Sequence, residues 1–136
     1  MRKILFLAAR MLTGLVVVAA IMAPAPATAA PASPDALSDC PNNGLCLWEH
    51  VQWGGTLGAY NKKPDGQCYS MGVLNNQTSS LYNRTSTHLY AYDASNCTGN
   101  FLDFGPFGGS ADLTYQYIFW PVTTWNDKIS SFKWAS

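Results

Sequence analysis

The sequence has 136 residues, eight basic and eight acidic side chains, and only 12% of it is charged. With no Lys/Arg cluster it offers no electrostatic footprint for nucleic acid or for an anionic membrane, and those partners are excluded. The length suits a single small domain behind a leader.

In chain order, the leader comes first. Arg2 and Lys3 form a positive start, an apolar stretch runs from about Ile4 to Met22, and Ala27-Thr28-Ala29 supplies an A-x-A cleavage site. This pattern predicts a secretory signal peptide over residues 1–29. Arg10 interrupts the apolar run, and Pro24 and Pro26 end it short of a clean span, which disfavours a membrane anchor. Cleavage removes Arg2, Lys3 and Arg10. Five basic residues (Lys62, Lys63, Arg84, Lys128, Lys133) then face eight acidic ones, so the exported protein carries 5 − 8 = −3. Residues 30–39 read as a flexible N-terminal arm, and 40–136 as one domain. The expected product is secreted, free of the membrane after cleavage, and monomeric.

Cys40, Cys46, Cys68 and Cys97 all lie in the exported part. Four cysteines in a small secreted chain predict two disulfides, with three possible connectivities. The six-residue step from Cys40 to Cys46, with Pro41 and Gly44 between, favours a local Cys40–Cys46 staple and leaves Cys68–Cys97. A zinc site is the weaker reading, since there is no C-x-x-C pair and His50 and His88 stand alone.

Short aromatic and β-branched runs follow, separated by Gly, Asn, Asp and Pro. "LCLWEHV", "TLGAY", "SSLYNRT", "HLYAYD", "NFLDF", "YQYIFWPV" and "ISSFKW" each suit a strand, and helical periodicity is scarce. The fold class is all-β, a sandwich or small barrel. Five tryptophans and seven tyrosines supply ample core.

The chain then repeats itself. Trp48 is followed five residues later by Trp53 and then by Gly55; Tyr92 is followed five residues later by Cys97 and then by Gly99. Each half closes on an acid/amide-hydroxyl hexapeptide, "NNQTSS" at 75–80 and "NDKISS" at 126–131. The first pattern reads as a folded hairpin, in which the Gly takes a positive φ and the first aromatic packs over the bend. Ser80 and Ser131 are placed to bond the backbone of that hairpin.

On these residues the sequence resembles a βγ-crystallin domain. That resemblance implies two Greek-key motifs packed as a disulfide-stapled sandwich, motif one over about 40–86 and motif two over about 87–136. Cys97 stands where the family prefers an aromatic, and reads as a disulfide substituting for ring packing. The resemblance also implies weak calcium binding, each ion taking side-chain oxygens from one loop and backbone carbonyls from the other motif. Carried over by position, Asn75, Asn76, Asn126 and Asp127 offer oxygens, Ser79 and Ser130 hydroxyls, and Gln77 and Lys128 carbonyls, with Glu49 and Asp93 nearby. Calcium takes six to eight such hard ligands, and sites with few charges bind it weakly. Without a metal, the same residues suit Asx and Ser turns.

No catalytic motif is present. Asp103 and Asp112 as an acid/base pair is the weaker reading beside solvated turn carboxylates, and the protein reads as a non-enzyme. The N-glycosylation patterns at 76–78, 83–85 and 96–98 read as coincidence in an Asn/Thr-rich β protein.

"CPNNGLCLWEHVQWGG" and "WNDKISSF" resemble the βγ-crystallin-like metalloproteinase inhibitors secreted by actinomycetes, typified by the Streptomyces metalloproteinase inhibitor. This implies a thermolysin-like metalloprotease as partner, met by a substrate-like loop near a cystine. The matching stretch is Ser95 to Gly99, with Cys97, Thr98 and Gly99 at its centre. Thr98 is smaller than the bulky apolar residue such enzymes prefer after the scissile bond. Phe104 and Phe107 in "FGPFGGS" make an alternative loop. Two other classes stay open: a calcium-binding structural or stress protein, and a killer-toxin-like or cell-surface module binding through exposed aromatics such as Trp120 or Trp134.

Overall fold

The computed structural model describes residues 36–135; the predicted leader lies outside them. Ten strands are seen among these residues: β1 (Gly44–His50), β2 (Gly54–Asn61), β3 (Tyr69–Ser70), β4 (Ser80–Asn83), β5 (Leu89–Tyr92), β6 (Phe101–Phe104), β7 (Gly109–Ser110), β8 (Tyr117–Phe119), β9 (Thr123–Thr124) and β10 (Ser131–Trp134). Each run expected as a strand contributes one. β3, β7 and β9 were not legible, because two-residue strands carry no periodicity. "YQYIFWPV" holds a strand only at Tyr117–Phe119, before a cis Trp120–Pro121 bond and a turn.

The strands form two four-stranded antiparallel sheets, ordered β2-β1-β4-β7 and β3-β10-β5-β6, with β8 and β9 as a separate hairpin. The crossing is reciprocal. β3 from the first half pairs with β10, and β7 from the second half pairs with β4, so each sheet borrows a strand from the other half. This is an all-β sandwich of two sheets with two disulfides, as the resemblance implied.

Leu45, Leu47 and Leu81 of one sheet meet Leu89, Ala91, Phe132 and Trp134 of the other. Met71, Leu74, Leu113, Trp125 and Ile129 close the core from the connections. Aromatic rings join the layers: Tyr60 of β2 lies 5.1 Å from Phe132, which lies 5.3 Å from Trp134. Phe132 is 1% exposed, and burial of a side chain this size contributes about 3 kcal/mol. Trp134 is therefore core, not the exposed aromatic that the sequence suggested: it takes the inward face of β10 and is 0% exposed.

The outer face of β1 is covered as well. Cys40, Cys46 and Trp48 form a second cluster under Leu37, Trp53, Leu57 and Tyr82. Residues 36–39 make a turn, with Cys40 N donating to Leu37 O, so the last part of the expected arm packs on the domain. The disulfides are Cys40–Cys46 and Cys68–Cys97. Among the described residues no helix is long and apolar enough to cross a membrane.

Candidate functional site

The two halves repeat one hydrogen-bond plan. In the first, the Ser80 hydroxyl donates to His50 O at 2.7 Å and accepts from Trp53 N at 3.2 Å. In the second, the Ser131 hydroxyl donates to Ala94 O at 2.6 Å and accepts from Cys97 N at 2.9 Å. Each serine thus ties positions two and five after the hairpin aromatic, Trp48 or Tyr92. Left-handed backbone at Gln52, Trp53 and Gly55 recurs at Asn96, Cys97 and Gly99. Gly99 has φ +81°, and a Cβ there would meet Asp93 Oδ1 at 2.3 Å. The glycine is required on both counts.

The acids after the aromatics also correspond. Glu49 accepts from Thr56 N and Thr56 Oγ1 at 3.3 and 2.7 Å. Asp93 accepts from Asn100 N and Asn100 Nδ2, both at 2.8 Å. The Thr56 hydroxyl, and then its backbone N–H, hold the Glu49 carboxyl below its ordinary range.

The hexapeptides interlock across the molecule. Asn76 N donates to Ile129 O and Asp127 N to Thr78 O, each at 2.9 Å. Ser79 Oγ reaches Asp127 Oδ1 at 3.4 Å, and Ser130 Oγ donates to Asn76 Oδ1 at 2.9 Å. The consequence was not legible in either loop alone, because the second loop's carboxylate crosses to the first loop. An open pocket of about 270 Å³ gathers Glu49, His50, Asn76, Gln77, Ser79 and Asp127.

That pocket holds two carboxylates and three neutral oxygen donors from both halves, a set whose hardness suits calcium. Among the described residues no three His, Cys, Asp or Glu side chains cluster, so amide and hydroxyl oxygens must complete any such site. The other sequence candidates fall elsewhere. Asn75 ends a 3-10 turn, its N–H donating to Gly72 O. Asn126 Nδ2 donates to Asp127 Oδ2, while Asn126 Oδ1 is buried without a hydrogen-bond partner. Lys128 stands in the second hexapeptide where Gln77 stands in the first, and its N–H donates to Trp125 O. Asp93 is engaged by Asn100 much as Glu49 is by Thr56, but it does not line this pocket.

The loop from Ser95 to Gly99 is exposed except at half-buried Cys97. It is restrained by the Cys68–Cys97 disulfide, the Ser131 hydroxyl and the Asp93–Asn100 pair, and Thr98 Oγ1 donates to Ser95 O at 2.9 Å. Asn96 and Cys97 are left-handed, whereas Thr98 is extended at φ −117°, ψ 173°.

The alternative loop is corrected in part. Phe104 is 6% exposed and belongs to the core, because β6 turns it inward; Phe107 is 61% exposed. Asn83 holds this turn from beneath: its Nδ2 donates to Thr87 O, Phe104 O and Gly105 O, and it is fully buried, closed to glycosylation. Asp103, on β6, lies 2.8 Å from His88 Nδ1 on the surface, whereas Asp112 accepts from Thr114 N at the start of a 3-10 turn, so these two carboxylates engage separate partners.

Sequence reasoning drew attention to Trp120 but missed how far its surroundings are exposed. Tyr115, Phe119, Trp120 and Val122 all face solvent. The signal was available in the sequence: no charged residue occurs from Leu113 to Asn126.

A family model, peptidase inhibitor family I36, matches residues 33–102, just over half of the chain. No curated protein sequence matches. Several solved structures share the architecture. One, from work on the evolution of the eye lens βγ-crystallin domain fold, aligns over 71% of this chain and 90% of its own at 23% identity, with a TM-score of 0.56. A βγ-crystallin from an archaeon aligns over 69% and 99% at 23% identity, TM-score 0.52. A βγ-crystallin from Ciona intestinalis aligns over 67% and 98% at 19% identity, TM-score 0.51. Such identities speak for the fold alone.

Proposed function

Because the chain belongs to peptidase inhibitor family I36, a family of inhibitors and not enzymes, we propose that it is a secreted inhibitor of a thermolysin-like metalloprotease. The inhibitory element is the loop from Ser95 to Gly99, with Cys97, Thr98 and Gly99 presented to the cleft. The observation that carries this reading is the combination of exposure and restraint in that loop. A disulfide, a buried serine and a carboxylate clamp fix its backbone, while Ser95, Asn96, Thr98 and Gly99 stay in solvent. A segment already ordered before binding avoids most of the entropy cost of a flexible substrate. The same restraint disfavours cleavage, since the residues on either side of the Cys97–Thr98 bond stay tethered.

The test uses the full-length chain expressed with its own leader and recovered from culture medium, where N-terminal sequencing checks cleavage after Ala29 or Ala30. It is titrated into a thermolysin-like metalloprotease with a short peptide substrate at fixed calcium. A linear loss of activity reaching zero near one equivalent is expected. Untouched activity at large excess, for that enzyme and several secreted relatives, sinks the reading.

A second reading rests on the pocket that joins the hexapeptides. Glu49 and Asp127 supply the charge and Asn76, Gln77 and Ser79 further oxygens for one calcium ion. Bound only by the native state, the ion adds stability by mass action. Three of these five side chains are uncharged, and affinity on the order of 10⁻⁵ to 10⁻³ M is expected. Calorimetry with calcium as the only variable checks it; no heat at millimolar ion removes the site.

A further inference from the structure

The loop leaves two needs of an inhibitor unmet. Protease–inhibitor interfaces take about 800 Å² and 20–30 residues from each side, far beyond one short loop. A cleft that accepts apolar side chains also gains little from Thr98, the one extended residue after left-handed Asn96 and Cys97.

Beside the loop stands a surface with the missing chemistry. The β8–β9 hairpin shows Tyr117, Phe119, Trp120 and Val122 at 41%, 63%, 78% and 83% exposure. It is built firmly. Ile118 packs against the core and Trp125 is buried in it. Val122 N donates to Phe119 O and Trp125 N to Gln116 O, both at 2.8 Å. The outer side chains are thus displayed from a fixed frame, and several large apolar side chains exposed on one short hairpin mark an interaction site.

A groove of about 330 Å³ joins this hairpin to the loop, with Gly99, Asn100 and Phe101 on one wall and Tyr117, Ile118 and Trp125 on the other. Phe101 is itself 57% exposed, and the Tyr117 and Trp120 rings lie 6.4 Å apart. At about 200 Å² per aromatic side chain, Phe101, Tyr117, Phe119 and Trp120 leave roughly 500 Å² open, most of what one side of an inhibitor interface requires.

We propose that the hairpin Tyr117–Val122, together with Phe101, is a second docking element, packing its aromatic side chains on an uncharged, apolar surface of the protease next to the cleft that receives the loop. The loop supplies register and the hairpin supplies area. This rests on the inhibitor reading above.

The test compares inhibition constants of the full-length chain and of its Trp120→Ser, Phe119→Ser and Val122→Glu variants. All three positions face solvent, so melting temperatures should match that of the parent. Val122→Glu adds a charge without removing a ring, which guards against a folding artefact. Each variant is expected to weaken inhibition about 10- to 100-fold, mainly through faster dissociation. Full inhibition by the parent with unchanged constants in all three variants overturns the hairpin proposal and leaves the inhibitor reading standing. A parent that inhibits nothing overturns both. Unchanged constants with loss of binding to insoluble chitin or cellulose reassign the hairpin to glycans. Loss of a dimer in sedimentation, again with unchanged constants, reassigns it to a second copy of the chain.

Discussion

Ser131→Ala removes one oxygen and should loosen a whole hairpin. Ser131 is 1% exposed, and its hydroxyl serves Cys97 N at 2.9 Å and Ala94 O at 2.6 Å. Alanine leaves a donor and an acceptor without a partner. An orphaned buried polar group costs about 1–3 kcal/mol; Ala94 and Cys97 are only half-buried, so water recovers part, and about 2–3 kcal/mol is expected for the pair. For a domain near 100 residues that is a fall of roughly 10–20 °C in Tm. Urea denaturation should show a lower midpoint at unchanged slope, since the same surface is exposed on unfolding. Two neighbours act as controls. Ser130→Ala loses a single exposed bond to Asn76 and should cost under about 1 kcal/mol. Ser80→Ala loses the equivalent pair of bonds in the first half and should cost as much as Ser131→Ala, yet leave inhibition unchanged. A Ser131→Ala variant within about 0.5 kcal/mol of Ser130→Ala would refute the view that these serines clamp the hairpins.

Three further outcomes are expected. Replacing Cys68 and Cys97 by alanine opens a link 29 residues apart in sequence and should cost about 3–4 kcal/mol, against about 2 for Cys40 and Cys46, 6 apart; equal losses in thermal melts would contradict the loop-entropy account. Asp127→Asn should abolish most of the stabilisation by millimolar calcium although Asp127 belongs to the second hexapeptide, and Lys128→Gln should not; the reverse ranking in calcium-dependent melting would show that the crossed pocket is not the site. Thr56→Val should raise the Glu49 carboxyl toward its ordinary range in an NMR titration, because the Thr56 hydroxyl is the main cause of its lowering. The sign of the stability change follows: a depressed folded value stabilises above the unfolded value and the gain vanishes as pH falls through the folded one. The variant should therefore be weaker at neutral pH and equal to the parent in strong acid, and an unmoved midpoint would rule the hydroxyl out.

The repeat made the hairpins legible. Five-residue spacings from Trp48 and Tyr92, glycines two residues on, and the final serine of each hexapeptide are local signals with local consequences, and they recur in the same hydrogen bonds. Of what is decided between halves, the sequence showed the Cys68–Cys97 link but not which side chains meet across the hexapeptides or which strand faces turn inward. Asp127 sits in the pocket of the opposite loop because the hexapeptides exchange backbone bonds from residue 76 to 129 and from 127 to 78. Trp134 and Phe104 look like free aromatics in one dimension and are core in three, since strand pairing fixes which alternate face turns inward. Phe119 and Trp120 look like strand residues and are exposed, because β8 pairs only with β9 and has no second sheet to cover it.

The places where the two halves differ are therefore informative. At the fifth position after the aromatic, the first half has Trp53, whose ring lies 5.2 Å from Trp48 and 6.4 Å from Tyr82, so ring packing supports the bend that Ser80 clamps. The second half has Cys97, bonded to Cys68 on the far side of the repeat. Between the borrowed strand and the next strand of its own sheet, the first half uses residues 71–79, whereas the second uses 111–130, about twice the length, and the excess is the β8–β9 hairpin. The first half makes the same folded hairpin with no cystine at the fifth position and no inserted hairpin before its last strand, so neither is a demand of the motif. Both occur in the same half, and the groove lined by Gly99 and Tyr117 brings them side by side. A tethered loop and an uncharged aromatic hairpin thus stand side by side in the half that departs from the shared plan, which is the arrangement that the proposed two-part contact with a protease requires.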